Sequence, residues 1–132
     1  METIQVRTGS RQEFVEVTRE VQRVVGEKGW QDGVLFLFVP HTTAGILINE
    51  HADPDVAEDI GKMTDKMVPS TFPYQHSEGN SPGHIKSVLF GSSLCVIVEQ
   101  GSLQLGTWQG IFFAEFDGPR SRTLWLKFLS SS

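Results

Sequence analysis

The sequence has a single cysteine, Cys95, and no apolar segment long enough to cross a membrane. With one thiol no disulfide can form within the chain, which favours a reducing compartment. Cys95 lies in the apolar run LCVIV, where a thiol usually packs as a small hydrophobic group. The longest apolar run, Val34–Val39, is far shorter than the roughly 20 residues of a membrane-spanning helix.

The N-terminus also lacks the apolar core of a signal peptide, so the sequence predicts a cytoplasmic protein without a membrane segment. Positive charge is scarce, since 11 Lys and Arg against 16 Asp and Glu give a formal net charge of -5. Proteins that bind nucleic acids usually carry a basic face, and this charge argues against that class. A local basic pocket for one small anion stays compatible with it. A chain of 132 residues that is 39% hydrophobic predicts one domain, residues 1–132.

Strand patterns dominate the sequence. Alternating or continuously apolar segments predict strands near residues 3–8, 13–17, 34–39, 44–48, 94–98 and 122–129. Valines at helical spacing predict a first helix with Thr18 as its N-cap and Gly29 at its end. Together these segments predict an α+β protein.

Two further helices are predicted from their first residues. Asp53 suits an N-cap and Pro54 the first turn of a helix. Ser81 and Pro82 repeat this pattern and predict a short helix that ends near Gly91. The apolar stripe of the helix after Asp53 is predicted to consist of Val56, Ile60, Met63 and Met67.

The stretch 101–122 is rich in aromatic residues and predicts a large buried strand. The polar residues that interrupt this strand are Gln109, Glu115 and Asp117. A Gly-Pro turn ends it, and Arg120 and Arg122 follow directly. Two interpretations stay open: Asp117 caps the turn and the arginines are solvated, or the carboxylates and the arginines form a site.

Polar residues also follow the buried strands. His41, Thr42 and Thr43 come directly after one strand, and Glu50 after the next. The segment 68–83 is a loop long enough to suggest a function. Asn80, Ser81 and Gly83 lie at its end, where a helix start would present free backbone N–H groups to a phosphate, and Lys86 follows one turn later.

Three histidines, His41, His76 and His84, lie at such irregular positions. Three neutral imidazoles with one open position would hold a divalent metal. Their spacing matches no standard zinc signature, and the alternative is that His76 is a solvated loop residue and His84 merely lies near a helix start. We predict that the three converge on one divalent ion, zinc or magnesium.

Many of these residues also occur at matching positions in a known family. The matching positions are Ser93, Val96, Val98, Gly101, Gly106–Gln109, Ile111, Glu115–Arg120 and Arg122, together with His41–Ala44, Asn49-Glu50, Asp53-Pro54, Gly79-Asn80 and His84–Lys86. By these residues the chain resembles the YjbQ family, also called the secondary thiamine-phosphate synthase family, over nearly its whole length. Ser81-Pro82-Gly83 departs from the family's Ala-Asp-Ala, and His51 from its Asn or Asp.

The resemblance implies a jelly-roll-like antiparallel β-sandwich with two or three helices that assembles as a homotrimer. It also implies a secondary activity that joins a pyrimidine pyrophosphate to a thiazole phosphate and releases pyrophosphate. We therefore predict a metal-assisted enzyme of small phosphorylated substrates with thiamine-phosphate synthase-like activity. The alternative is a non-catalytic trimeric module that binds a small anion or a metal.

Each candidate residue has a predicted role in this hypothesis. Fixed positive charge would stabilise the leaving pyrophosphate, and carboxylates would orient the cations or hold an ion. The predicted catalytic residues are Glu50, Lys86, Gln109, Asp117, Arg120 and Arg122. The predicted substrate-binding residues are Thr42, Thr43, Asn80, Ser81 and Gly83, and the predicted metal ligands are His41, His76 and His84.

Overall fold

The computed structural model describes residues 1–131, which form eight strands and three helices. In chain order they are β1 Glu2–Arg7, β2 Glu13–Glu16, α1 Thr18–Glu27, β3 Gly33–Phe38, β4 Ala44–Glu50, α2 Pro54–Met67, α3 Ser81–Phe90, β5 Ser93–Glu99, β6 Ser102–Leu103, β7 Gln109–Glu115 and β8 Ser121–Ser130. The α+β class and the predicted strands are confirmed. Within residues 1–131 no helix is long and apolar enough to span a bilayer.

The strands form two antiparallel sheets. One sheet has five strands in the order β1-β8-β3-β5-β6, and the other has three in the order β2-β7-β4. Buried side chains of both sheets belong to one apolar cluster, for example Leu35 and Leu124 of the larger sheet with Ile46 and Phe113 of the smaller. The prediction of antiparallel sheets that share a core is therefore confirmed.

Strand β7 lies at the centre of the smaller sheet, and its residues from Gly110 to Glu115 are all buried. Its last residue, Glu115, is in register with Glu13 of β2 and Ala44 of β4. The aromatic stretch is thus a central strand, as predicted, and it ends in a carboxylate that faces the interior.

One of the two predicted N-caps of the first helices differs from the prediction. Val17, and not Thr18, is the N-cap of α1, because the Thr18 hydroxyl donates to the Glu16 carboxylate and accepts the Ile111 N–H. The Asp53 cap of α2 is confirmed, since its carboxylate accepts the Asp55 N–H at 2.9 Å.

The apolar stripe predicted for α2 is wrong for its methionines, because Met63 and Met67 are exposed. The buried residues of α2 are Gly61 and Thr64. A Cβ atom on Gly61 would lie 3.3 Å from the Gln12 side chain, so the missing side chain lets the helix approach β2 on this side.

Helix α3 begins one residue earlier than its predicted cap implied, since Asn80 and not Ser81 is the N-cap. The helix packs along β4, where the Ser87 hydroxyl donates to the Ala44 carbonyl at 2.6 Å. This packing places the first turn of α3 beside the end of β7 and the turn before β8.

Candidate functional site

A polar cavity of about 500 Å³ lies where three connections meet. They are the link between β3 and β4, the segment before α3, and the turn between β7 and β8. The cavity is lined by Pro40, His41, Thr42, Thr43, His76, Glu78, Asn80, His84, Asp117, Arg120 and Arg122. All three predicted metal ligands and three of the five predicted substrate-binding residues, Thr42, Thr43 and Asn80, therefore line one cavity.

A buried ion pair forms the floor of this cavity. The Arg122 guanidinium donates from Nε to Glu115 Oε1 at 2.8 Å and from Nη2 to Glu115 Oε2. The same Nη2 donates to the Thr43 hydroxyl at 2.9 Å, and Thr8 donates its hydroxyl to Glu115. Glu115 is fully buried and Arg122 is 5% exposed, so the pair sits in the protein interior with most of its bonds made.

Burial by itself raises the pKa of the Glu115 carboxyl. The hydrogen bonds from Arg122, from the Asp117 N–H and from Thr8 outweigh burial, and the pKa lies below the ordinary value of 4.5. Glu115 is therefore ionised at neutral pH, and Arg122 is held by a full negative charge.

A second arginine is fixed at the mouth of the cavity. Arg120 donates from Nε to the Asp117 carbonyl at 2.7 Å and from Nη2 to the Asp117 carboxylate at 2.9 Å. The same carboxylate oxygen accepts the side-chain amide of Asn80 at 2.9 Å. Burial raises the pKa of the Asp117 carboxyl, but the bonds from Asn80 and Arg120 outweigh it and lower the pKa overall.

The Asn80 side chain bonds to Asp117 and does not cap helix α3. Asn is among the best N-cap residues, yet the Asn80 side chain makes no cap bond to α3. Its Oδ1 atom is buried and has no partner within residues 1–131. The uncapped start of α3 and an unsatisfied acceptor thus both lie at the cavity wall.

His41 is oriented by the backbone of β8. The Thr123 N–H donates to His41 Nε2 at 3.0 Å, so the proton of the neutral ring resides on Nδ1. Burial and, next, the charge of Arg122 lower the pKa of His41 below its ordinary value of 6.5. At neutral pH His41 is therefore a neutral ring whose Nδ1–H is a hydrogen-bond donor.

The rings of His76 and His84 lie next to each other in the lining of the cavity. Their ring centroids are 5.3 Å apart and their planes are nearly perpendicular, at 89°. The Glu78 carboxylate lies 3.8 Å from His76 Nε2. Across residues 1–131, however, no group of three His, Cys, Asp or Glu residues is arranged to hold a metal ion.

Three predicted catalytic residues lie away from the cavity. Glu50 and Gln109 face each other at the far end of β4 and β7, about 20 Å along the strands from Glu115. Glu50 accepts the Asp53 N–H there, and Gln109 accepts the Gly106 N–H. Both therefore serve local turns and helix ends.

Lys86 is the third. Its ammonium group is buried on the other side of α3, where it donates to Asp65 at 2.5 Å and to Gln12 at 2.6 Å. These bonds connect α3 to α2 and to the residue before β2, so the charge of Lys86 does not face the cavity.

Two predicted substrate-binding residues have other contacts. Ser81 is absent from the cavity wall, and the Gly83 N–H donates to the Asn80 carbonyl at 2.9 Å. A Cβ atom on Gly83 would lie 2.8 Å from the Phe116 carbonyl oxygen. Gly83 thus permits close packing of α3 on the end of β7.

The sequence singles out Glu115 but predicts no role for it, and it does not single out Glu78. A signal for Glu115 was present, because it is the only carboxylate in the otherwise apolar run IFFAEF, with two arginines shortly after it. Glu78 carried no comparable signal, since it lies in an irregular loop among other polar residues.

The fold and the cavity define a class: a two-sheet antiparallel α+β protein with one arginine- and histidine-lined cavity at a junction of loops. The model of the family described as UPF0047 protein YjbQ-like matches residues 2–131. The UPF0047 protein YugU of Bacillus subtilis is 48% identical over 130 residues, covering 98% of each chain. A UPF0047 protein of Methanocaldococcus jannaschii is 47% identical over 125 residues, covering 95% of this chain and 91% of its own. The chain belongs to the YjbQ-like UPF0047 family.

Solved structures agree with this assignment. An uncharacterised YjbQ/UPF0047 protein of Clostridium acetobutylicum superposes with a TM-score of 0.95 at 49% identity, covering 98% of this chain and 100% of its own. A protein of Sulfolobus solfataricus, described as YbjQ-like and of unknown function, has a TM-score of 0.94 at 32% identity, covering 98% of this chain and 96% of its own.

These comparisons correct the predicted function. The relatives carry only UPF0047 names and the solved structures are of uncharacterised proteins, so a metal-assisted enzyme with thiamine-phosphate synthase-like activity is not supported and that prediction is wrong. The geometry gives a physical reason. Lys86, Glu50 and Gln109 lie away from the cavity, so three of the six predicted catalytic residues cannot act there.

Proposed function

We propose that the protein is a binding module for a small anion, with a phosphate or carboxylate group held in the cavity. The observation that carries the proposal is that two guanidinium groups line the cavity, each fixed along one edge by a carboxylate. Their Nη1 groups make no hydrogen bond within residues 1–131 and so can donate to a ligand. Planar guanidinium groups match the oxygens of phosphate and carboxylate.

Further hydrogen-bond donors also line the cavity. The Nδ1–H of His41 and the exposed hydroxyl of Thr42 add neutral donors, which bind an anion without a second desolvated charge. The uncapped start of α3 adds the positive end of a helix dipole. Because the two ion pairs are almost neutral overall, the site favours a ligand of small charge that accepts several hydrogen bonds.

Isothermal titration with inorganic phosphate, in a buffer without other anions, tests this proposal. Arg120→Met is expected to weaken binding at least tenfold, because a charge-assisted hydrogen bond contributes about 1.5–3 kcal/mol. Arg23→Met is the matched control, since Arg23 is similarly exposed and also pairs with a nearby carboxylate, but on α1. Equal phosphate affinity of wild type and Arg120→Met would contradict the proposed site.

The second candidate ligand is a divalent metal on His76 and His84. Two imidazoles that share a tetrahedral ion through nitrogens about 2.0–2.1 Å away place their ring centroids roughly 5 Å apart. The observed centroid distance is 5.3 Å, so the two rings could share an ion without a third protein ligand of the His, Cys, Asp or Glu type. Imidazole ligands favour zinc over magnesium. His41 fits this ion less well, because the lone pair of its Nε2 already accepts the Thr123 N–H.

A zinc titration followed by metal analysis of untagged protein tests this second candidate. His84→Ala is expected to lose bound zinc, whereas His41→Ala is expected to retain most of it. His51→Ala is the control, because His51 pairs with Glu16 outside the cavity. Undiminished zinc in His84→Ala, or its loss from His41→Ala alone, would contradict the placement.

We also propose that the two sheets have a jelly-roll arrangement. We propose in addition that the chain associates as a homotrimer and that it is a cytoplasmic protein. The jelly-roll is supported by the pairing of β1 with β8 in one sheet and β2 with β7 in the other, as two Greek keys folded over each other would place them. Association is supported by the exposed apolar side chains on α3 and on the larger sheet.

A further inference from the structure

Helix α3 presents apolar side chains to solvent. Its buried residues are Gly83, Lys86 and Ser87, and through Ser87 and Gly83 it packs on β4 and on the Phe116 carbonyl. On its outer side Ile85, Val88 and Leu89 are exposed, and Val88 is 81% exposed. We call these three residues the α3 row. Their spacing forms one apolar stripe of the helix, and the apolar stripe of a helix normally packs against another surface.

The other helices differ from α3 on their outer sides. Helix α1 carries the ion pair Arg23–Glu27 and helix α2 the pair Glu58–Lys62, both exposed to solvent. Charged pairs of this kind are usual on a face that stays in water. The α3 row lacks them, so it has the composition of a surface that another chain covers.

A second apolar surface lies on the outer face of the five-stranded sheet. It consists of Phe36 and Phe38 on β3, Ile97 on β5 and Leu129 on β8, and we call it the outer sheet face. Val34 is in register with both Ile97 and Leu129, so apolar side chains adjoin across three strands at this position, and Lys127 lies beside Phe36 on the same face. A sheet face that stays in water usually shows polar residues at these alternate positions.

We propose that the α3 row of one copy packs on the outer sheet face of the next copy, so that the chain closes into a ring. This assignment of surfaces rests on the self-association proposed above. Two different apolar patches on one chain fit a head-to-tail contact, which closes into a ring when the rotation allows. A helix on a sheet is also a standard packing of layers.

The exposed area is sufficient for such a contact. The four residues of the outer sheet face expose on the order of 400 Å² of apolar surface, near the apolar share of one side of a standard interface of about 800 Å². Each patch is close in sequence to a residue that lines the cavity, since Phe38 is two residues before Pro40 and Val88 is one helical turn after His84.

Light scattering of two single variants tests the contact. Val88→Glu and Ile97→Glu are each expected to lower the mass to that of the 14.7 kDa monomer. Met63→Glu is the matched control, since Met63 on α2 is as exposed as Ile97 and belongs to neither patch. Mixing the two variants is expected to give a species of twice the monomer mass, because each supplies the surface that the other lacks and the ring cannot close.

Cys95 provides an independent readout. It is the only cysteine and lies on the outer sheet face, in register with Phe36. Its thiol is expected to react slowly in the wild-type oligomer and at least tenfold faster in Val88→Glu, although that substitution lies on another element. Circular dichroism checks that each variant is folded, and Leu129→Glu replaces Ile97→Glu if the latter is not.

Three outcomes would overturn the proposal, and they are distinguishable. A monomeric wild type at micromolar concentrations removes self-association itself. An associated wild type whose mass neither variant changes removes these two surfaces. Loss of association in Ile97→Glu alone, with no complex on mixing, means that two sheet faces pack on each other and that the α3 row is not used.

Discussion

Glu115→Gln is expected to lower the free energy of unfolding by about 3–5 kcal/mol, because it leaves the buried Arg122 guanidinium without a counter-charge. Glu115 is fully buried and also accepts bonds from Thr8 and from the Asp117 N–H, so no water replaces the lost carboxylate. Since domains of this size are stable by only about 5–15 kcal/mol, the loss is a large part of the total. Urea unfolding followed by circular dichroism measures it.

The matched control is Glu99→Gln on the surface of β5, for which no change is expected. The double variant Glu115→Gln with Arg122→Met is expected to recover part of the loss, because the unpaired charge is removed. A Glu115→Gln protein as stable as wild type would contradict the buried ion pair.

The same residue predicts a pH dependence. Because the pKa of Glu115 is lower in the folded chain than its ordinary value of 4.5, the unfolded state binds the proton more readily. The stabilisation is complete above about pH 4.5 and is lost as the pH falls through the pKa of the folded state. Glu115→Gln is expected to lack this component of acid unfolding, and an unchanged acid profile would argue against it.

Asp65→Asn is expected to lower the free energy of unfolding by about 1–3 kcal/mol, since Lys86 is 1% exposed while its carboxylate partner Asp65 is half-exposed and water can replace part of the lost interaction. The control is Glu58→Gln on the same helix, whose partner Lys62 is exposed, and no measurable change is expected there. Lys86→Met is expected to lower the free energy of unfolding by less than Asp65→Asn does, because it removes the buried charge instead of leaving it without a counter-charge. The reverse order in thermal or urea unfolding would contradict this account of Lys86.

Much of the fold follows from local patterns. The continuous apolar run Val34–Val39 and the alternation after Arg122 set two strands of the larger sheet, and the Asp53-Pro54 pair set the start of α2. These signals are strong because the residue types themselves restrict the backbone or must leave water.

Other features depend on which neighbour an element meets. Helical spacing made Met63 and Met67 a core stripe, whereas Gly61 allows the opposite side of α2 to approach β2. Lys86 was expected to face a ligand, but the position of Asp65 on α2 turns it inward. Neither contact is encoded within a local window of the sequence.

The candidate site was predicted in part. Residues at strand ends and at the helix start do share one cavity, as the positions of His41, Asn80 and Arg120 suggested. Their roles depended on single hydrogen bonds, however. Because the Thr123 N–H donates to Nε2 of His41, the ring carries its proton on Nδ1 and is a donor toward a ligand. This contact joins residues 82 positions apart in the chain, so a local sequence pattern does not show it.

The most direct test of the anion-binding account is a phosphate titration of the wild-type protein followed by amide and side-chain NMR shifts. The account predicts saturable shift changes that gather at His41, Thr42, Arg120 and the first turn of α3, around the 500 Å³ cavity. Shifts that do not saturate, or that gather instead at the separate groove between Gln12 and Gly61, would contradict it.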